Sequence, residues 1–234
     1  MIGGFFVKVI LCGGGDAKQT EEVNKLYTSL IDIDKPILYI PIAMEDNKFP
    51  SCIKWFENEF MPYGIRKIEM ITDIYSLKKY DLNEFSSIFI GGGNTYRLLY
   101  LLKDSGAIKL IQNFIENDGV VFGGSAGAII FGKDIRCTDY ADDNVVNLFD
   151  TKGFDITKGY DICCHYTNRD TERNKYEFRC ISDYVAMGNK VFALPEETSL
   201  FVENDKVTVV GNMECTLFAR DVTTLKPNTV YYLK

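Results

Sequence analysis

The chain has 234 residues, of which 46% are hydrophobic and 25% charged. That composition excludes a disordered chain and supplies enough apolar surface for a sizeable core. The formal net charge of −7 argues against nucleic acid as the main partner, and no apolar run reaches the roughly 18 residues of a bilayer span.

Taken in chain order, FFVKVILC (5–12) reads as a buried first strand. It does not read as a secretory leader, because a lysine interrupts the run and no small-residue cleavage site follows. It ends in Gly13-Gly14-Gly15. Helical spacing over 20–31 follows, then a strand in PILYIPIA (36–43), a helix near 51–61 and a strand in RKIEMIT (66–72). FSSIFIGGG (85–93) is a strand leading into a helix at TYRLLYLL (95–102). A further helix lies near 106–116, and the strand GVVFGGS (119–125) enters a helix at AGAIIFG (126–132). Short continuous runs of Val, Ile and Phe are typical of strands buried on both faces. Their alternation with helices predicts a parallel sheet covered on both sides.

The second half is different. Residues 138–159 are polar and rich in Gly and Asp, which predicts a long loop able to shape a site. YDICCHY (160–166) reads as a strand and 167–187 as a charged helix. VFALP (191–195), SLFVEN (199–204), KVTVVGN (206–212) and CTLFAR (215–220) read as strands, with Asn204-Asp205 as a hairpin turn. No linker separates the halves. The expectation is one α/β domain over 1–234, a three-layer sandwich with a mostly parallel central sheet.

Seven cysteines with no CxxC pair, two of them the adjacent Cys163 and Cys164, point to reduced, mostly buried thiols and a cytoplasmic protein. The single histidine excludes a His-rich metal site, and no metal or cofactor is expected. Any histidine chemistry falls to His165.

Gly123-Gly124-Ser125-Ala126-Gly127 fits G-x-S-x-G in the context that motif requires, a strand, a sharp turn and a helix. Small neighbours let other segments approach a strained serine, and the following helix aims N–H groups at the site. The Ala126 N–H is placed to stabilise an oxyanion. The alternative is a close-packed or phosphate-binding turn. Gly91-Gly92-Gly93-Asn94-Thr95 is a second strand end, facing the same crevice in a parallel sheet. Gly93 offers a second N–H there, while Asn94 and Thr95 either hold substrate or cap the next helix. Gly13–Gly15 is a third strand end. It is not G-x-G-x-x-G opening a helix, so it does not read as a dinucleotide site. A serine nucleophile needs a base, and His165 is the one histidine available. Glu196, Glu197 and Asp139 are candidates to fix its tautomer, and a solvated surface charge is the alternative for each.

GGGNTYRLL, GGSAGAII with Ser125 32 residues after Gly93, CCHYTN and ALPEET resemble the peptidase E family. The resemblance covers most of the chain, and its core matches lie between about 86 and 204. It implies a serine peptidase acting on aspartyl dipeptides, on a fold related to class I glutamine amidotransferases (flavodoxin-like). Ser125 is implied as nucleophile, His165 as base, Glu196 as the group orienting it, and Gly93 and Ala126 as oxyanion donors. Gly124 stands where some members carry Trp, and Cys163-Cys164 where some carry Asn-Pro. A family aspartate aligns with Tyr140, beside Asp139, which favours Glu196. Arg173 falls near a family arginine that holds the substrate's acidic side chain. Arg169 is its rival, and pairing with Glu172 or Glu177 on the surface is the plainer alternative. The expected partner is a short peptide, with no cofactor and a monomer or homodimer. Cyanophycinases are cousins, so a cyanophycinase-like hydrolase is one alternative and a non-catalytic module of the same fold another. A glutamine amidotransferase is disfavoured because its elbow nucleophile is cysteine.

Overall fold

The computed structural model describes residues 7–167 and 171–234. Its first half alternates as expected: β1 (Lys8–Cys12), α1 (Glu21–Leu30), β2 (Ile37–Ile40), α2 (Phe49–Phe60), β3 (Ile68–Met70), β4 (Ser87–Ile90), α3 (Thr95–Asp104), α4 (Ala107–Glu116) and β5 (Val120–Gly124). These five strands are parallel, in the order β1-β5-β4-β2-β3. Side chains alternate between the two faces of a strand, and here both faces are apolar. Ile10, Ile37, Tyr39, Phe89, Val120 and Phe122 pack with Val23 and Tyr27 of α1 and with Cys52, Phe56 and Phe60 of α2. The intervening Val9, Leu11, Leu38, Ile40, Ile88, Ile90 and Val121 pack on the other side with α3 and α4. Burial on both faces explains why these strands read as continuous apolar runs.

The second half runs through α5 (Ala126–Ile129), β6 (Asp161–Cys163), α6 (Glu172–Ala186), β7 (Val191–Ala193), β8 (Thr198–Glu203), β9 (Lys206–Gly211), β10 (Cys215–Phe218), β11 (Val222–Leu225) and β12 (Val230–Tyr232). The hairpin β8–β9 turns at Asn204, which has φ 56°, and extends the large sheet antiparallel to β1. β12 completes that sheet at eight strands.

The other strands form a separate four-stranded sheet, in the order β11-β10-β7-β6. The strands read at 160–166, 191–195 and 215–220 thus lie outside the central sheet. The second sheet packs one face into the same hydrophobic cluster as α3 and α4, through Ile162, Phe192 and Leu217. Its other face, with Cys163, Val191, Ala193 and Phe218, is covered by Ile181 and Tyr184 of α6. β11 and β12 were not expected, because most of their residues are exposed and give no apolar run.

The helix expected over 126–132 stops after one turn. Phe154, Ile156 and Asp155 donate backbone N–H groups to the carbonyls of Ile130, Phe131 and Gly132. The long loop thus takes acceptors that a continuing helix would need. A four-residue helix carries little macrodipole, so its single N–H groups matter more than its axis.

Candidate active site

The parallel strands end along one edge of the large sheet. The chain leaves β1 through Gly13–Gly15, β2 through Pro41–Met44, β4 through Gly91–Gly93 and β5 through Ser125. The helices change faces between the β1–β2–β3 run and the β4–β5 run, and open sheets form their crevice at such a switch.

Ser125 occupies a sharp turn, with φ 53° and ψ −117°. Its N–H donates to the Cys12 carbonyl at 3.0 Å. The turn depends on backbone-to-backbone approach: a Cβ on Gly123 would lie 2.2 Å from the Gly127 carbonyl oxygen, and one on Gly127 would lie 2.1 Å from that of Ile90. Such strained positions persist only when their surroundings over-determine them, and they cluster at functional sites. His165, just past β6, is a second one at φ 58°. Its N–H donates to the Gly13 carbonyl at 3.2 Å.

Ser125 Oγ lies 2.8 Å from His165 Nε2. His165 Nδ1 lies 3.2 Å from Glu196 Oε1. A proton on Nδ1 then leaves the Nε2 lone pair facing the serine. Glu196 is held in turn: Gln19 Nε2 donates to Glu196 Oε2 at 3.2 Å and to Glu197 Oε1 at 3.3 Å. The main-chain N–H groups of Gly93 and Ala126 have no protein acceptor among the described residues. The two strand ends are close, since a Cβ on Gly92 would lie 3.1 Å from Ser125 Cβ.

A cavity of about 740 Å³ opens at Ser125 and His165, lined also by Gly14, Gly92, Gly93, Gly124, Tyr140, Cys164, Arg173 and Glu177. The sequence profile of peptidase family S51 matches residues 9–210, a span that includes Ser125, His165 and Glu196. The chain belongs to peptidase family S51.

This serine peptidase is 28% identical over 212 residues to a protein named peptidase E from Shewanella denitrificans, covering 87% of this chain and 86% of that one. It is 27% identical over 195 residues to a Drosophila melanogaster protein named "Probable alpha-aspartyl dipeptidase", covering 80% and 77%. A peptidase from an acI-B1 Actinobacterium shares the fold with a TM-score of 0.71 at 17% identity, over 98% of both chains. Among the described residues, no helix is long and apolar enough to cross a membrane.

Several expected residues have other work in this S51 peptidase. Asp139 does not reach His165; its carboxylate accepts from the Tyr96 hydroxyl, and Tyr140 bonds to Cys163 Sγ at 2.9 Å. Asn94 and Thr95, expected at substrate, serve the fold. Asn94 Oδ1 caps α3 by accepting from Arg97 N–H at 2.8 Å, and its amide donates to the Asp143 carbonyl. Thr95 is fully buried, with its N–H and hydroxyl both donating to Asp142 Oδ2.

Arg173 combines two expectations. It lines the cavity, donating to the His165 carbonyl at 3.2 Å, and it pairs with buried Glu177 at 2.6 Å. Its rival Arg169 lies outside the described residues.

Two features escaped sequence reasoning. Gly14 and Gln19 position His165 and Glu196, and only the glycine triplet hinted at this. Glu59 also lines the cavity, from the buried face of α2 it shares with Phe49, Cys52, Phe56 and Phe60. A carboxylate falling on an apolar helical stripe was the available signal.

Proposed function

We propose that this peptidase hydrolyses dipeptides or short peptides through a Ser125–His165–Glu196 triad and an acyl-enzyme. The observation that carries the reading is the unbroken set of contacts from Ser125 Oγ through both ring nitrogens of His165 to Glu196, at the mouth of one cavity. As Ser125 attacks the scissile carbonyl, His165 Nε2 takes the hydroxyl proton, and Glu196 stabilises the resulting imidazolium. The tetrahedral oxyanion is received by the N–H groups of Gly93 and Ala126, each such donor contributing roughly 3–4 kcal/mol to the transition state. The same imidazolium then protonates the leaving amine. Water, activated by His165, releases the acyl group.

Among the described residues, Arg173 is the arginine or lysine that lines this cavity and is available to a substrate carboxylate. A planar guanidinium suits bidentate recognition of an aspartate side chain, and the Drosophila relative's name supports that preference. Glu177 holds Arg173 through Nε and the His165 carbonyl takes one hydrogen of Nη2, so among the described residues Nη1 and the second Nη2 hydrogen are the donors offered to a ligand.

Purified wild type and Ser125→Ala should be compared on Asp-Leu and on Ala-, Glu- and Lys-headed peptides. Wild type should cleave, and the variant should lose turnover by a factor on the order of 10⁵ or more, with its near-ultraviolet circular dichroism unchanged. A fluorophosphonate should label wild type at Ser125. Full activity in Ser125→Ala would overturn the mechanism.

A further inference from the structure

The cavity does not stop at the serine. A lobe of it runs between α1 and α2 against the sheet, lined by Tyr39, Trp55, Phe60, Phe89 and Phe122. Gly124 opens that lobe: a Cβ there would meet only Phe122 Cε1 and Phe89 Cζ, each 3.9 Å away. Where the lobe meets α1 stands Glu59, 6% exposed.

The Glu59 carboxylate is half satisfied. Thr20 Oγ1, at 2.7 Å, and Asn24 Nδ2, at 2.6 Å, both donate to its Oε1. Oε2 receives no hydrogen bond. Among the described residues, no side-chain oxygen sealed from solvent lacks a partner, so Oε2 opens onto the cavity. None of the described cations pairs with it. Lys25, which follows Asn24 directly, is held by Glu21 and Glu22. Buried carboxylates ordinarily have a cation beside them, and aromatic faces attract cations too. Here the aromatic walls and the carboxylate are present, and no cation among the described residues completes the pair.

We propose that this lobe is a substrate subsite for an alkylammonium or guanidinium group, which ion-pairs with Glu59 Oε2 while its methylenes pack on the aromatic walls. The proposal rests on the reading that peptides are the substrates of this cavity. Two parts of a peptide carry that chemistry, a basic side chain and the N-terminal ammonium.

Trp55 is the only tryptophan of the chain, so its fluorescence reports entry into the lobe independently of catalysis. Ser125→Ala protein would be titrated with dipeptides bearing lysine or its uncharged isostere norleucine at either position, each with a free and an acetylated N-terminus. If a basic side chain is bound, lysine peptides should bind at least about tenfold tighter than norleucine peptides. If the ammonium is bound, free peptides should exceed acetylated ones by that factor. In either case, adding Glu59→Gln should abolish the advantage, since glutamine still accepts from Thr20 and Asn24 but carries no charge. Gly124→Leu, which fills the lobe, should abolish the fluorescence response.

Equal binding of charged and neutral peptides would overturn the subsite, a comparison that needs no Glu59 variant to fold. An advantage that survives Glu59→Gln would overturn it as well. Charge-dependent binding without any hydrolysis by wild type would overturn the peptidase mechanism and leave the subsite standing. Hydrolysis without charge-dependent binding would do the reverse.

Discussion

His165 stands where it does because Gly14 has no side chain. A Cβ at that position would lie 2.4 Å from His165 Cε1 and 2.9 Å from Nδ1, and Gly14 has φ +119°. Alanine there must displace the ring or the strand end, and either movement lengthens the contacts to Ser125 and Glu196. Misplacement by about 1 Å costs on the order of 10²-fold in rate. Gly14→Ala is therefore expected to lower kcat/KM by about that factor, measured on whichever peptide wild type cleaves best. Gly188→Ala is the control. That glycine has φ +92° with no atom within 4 Å of a Cβ, so it should cost roughly 1 kcal/mol of stability and leave kcat/KM unchanged. Equal kinetic effects at the two glycines would mean that backbone strain, and not the histidine, is responsible.

At the scale of elements, one face of the large sheet is held to its helices by aromatic rings. Phe89 of β4 stacks on Phe122 of β5 with centroids 4.6 Å apart and meets Phe56, Phe60 and Trp55 of α2 at 5.0, 5.4 and 6.0 Å. Tyr27 of α1 joins the group, with its hydroxyl bonded to Ser87 at 2.6 Å. The cluster thus ties both helices to the strands that end at Ser125 and Gly93. Phe89→Ala should destabilise the protein by about 3–5 kcal/mol, read from denaturant midpoints. Because Phe89 also lines the cavity, the loss should enlarge the lobe next to Glu59. A change below about 1 kcal/mol would show that this face repacks freely.

At the scale of the molecule, the second sheet is joined to the region following the elbow through two buried aspartates. Asp161 opens β6, and its Oδ1 accepts from the Asp134 N–H at 2.6 Å while Oδ2 accepts from the Tyr184 hydroxyl at 2.9 Å. Burial pushes the Asp161 carboxyl up to about 6. Against the upward push of burial, Arg136 and Lys152 hold Asp134 down at about 2. Between about pH 4 and 6 the native state keeps a proton on Asp161 that the unfolded chain has released. Its contribution to stability therefore falls as pH rises through that window and levels off above it. The contribution of Asp134 is complete above about pH 4 and is lost as pH falls toward 2. Asp161→Asn removes only the first effect. Its unfolding free energy relative to wild type should rise by up to roughly 3 kcal/mol between pH 4 and pH 7, measured by urea denaturation at several pH values. A difference independent of pH would refute this account.

Much of this was legible in the sequence. The alternating strands and helices of the first half, the turn at Ser125, the uniqueness of His165 and the hairpin at Asn204 all depend on local sterics and periodicity, which a few neighbouring residues express. The membership of β6, β7 and β10 in a second sheet was not legible, because a buried strand looks the same whichever sheet it joins. The choice between Glu196 and Asp139 as neighbour of His165 was likewise a matter of which strand ends adjoin, and so was the use of Gly14 to clear the imidazole. Asn94 and Thr95 carried polar groups suited equally to a cap or a ligand, and the loop carbonyl at Asp143 and the carboxylate of Asp142 decided between them. Glu59 meets Thr20 and Asn24 across 39 and 35 residues of chain. By itself the sequence determined the elements and the sharp turn at Ser125, which follow from short-range geometry, and by composition it left His165 as the one histidine. Only the tertiary structure decided which distant side chains share the cavity, because sheet order and helix packing set those distances.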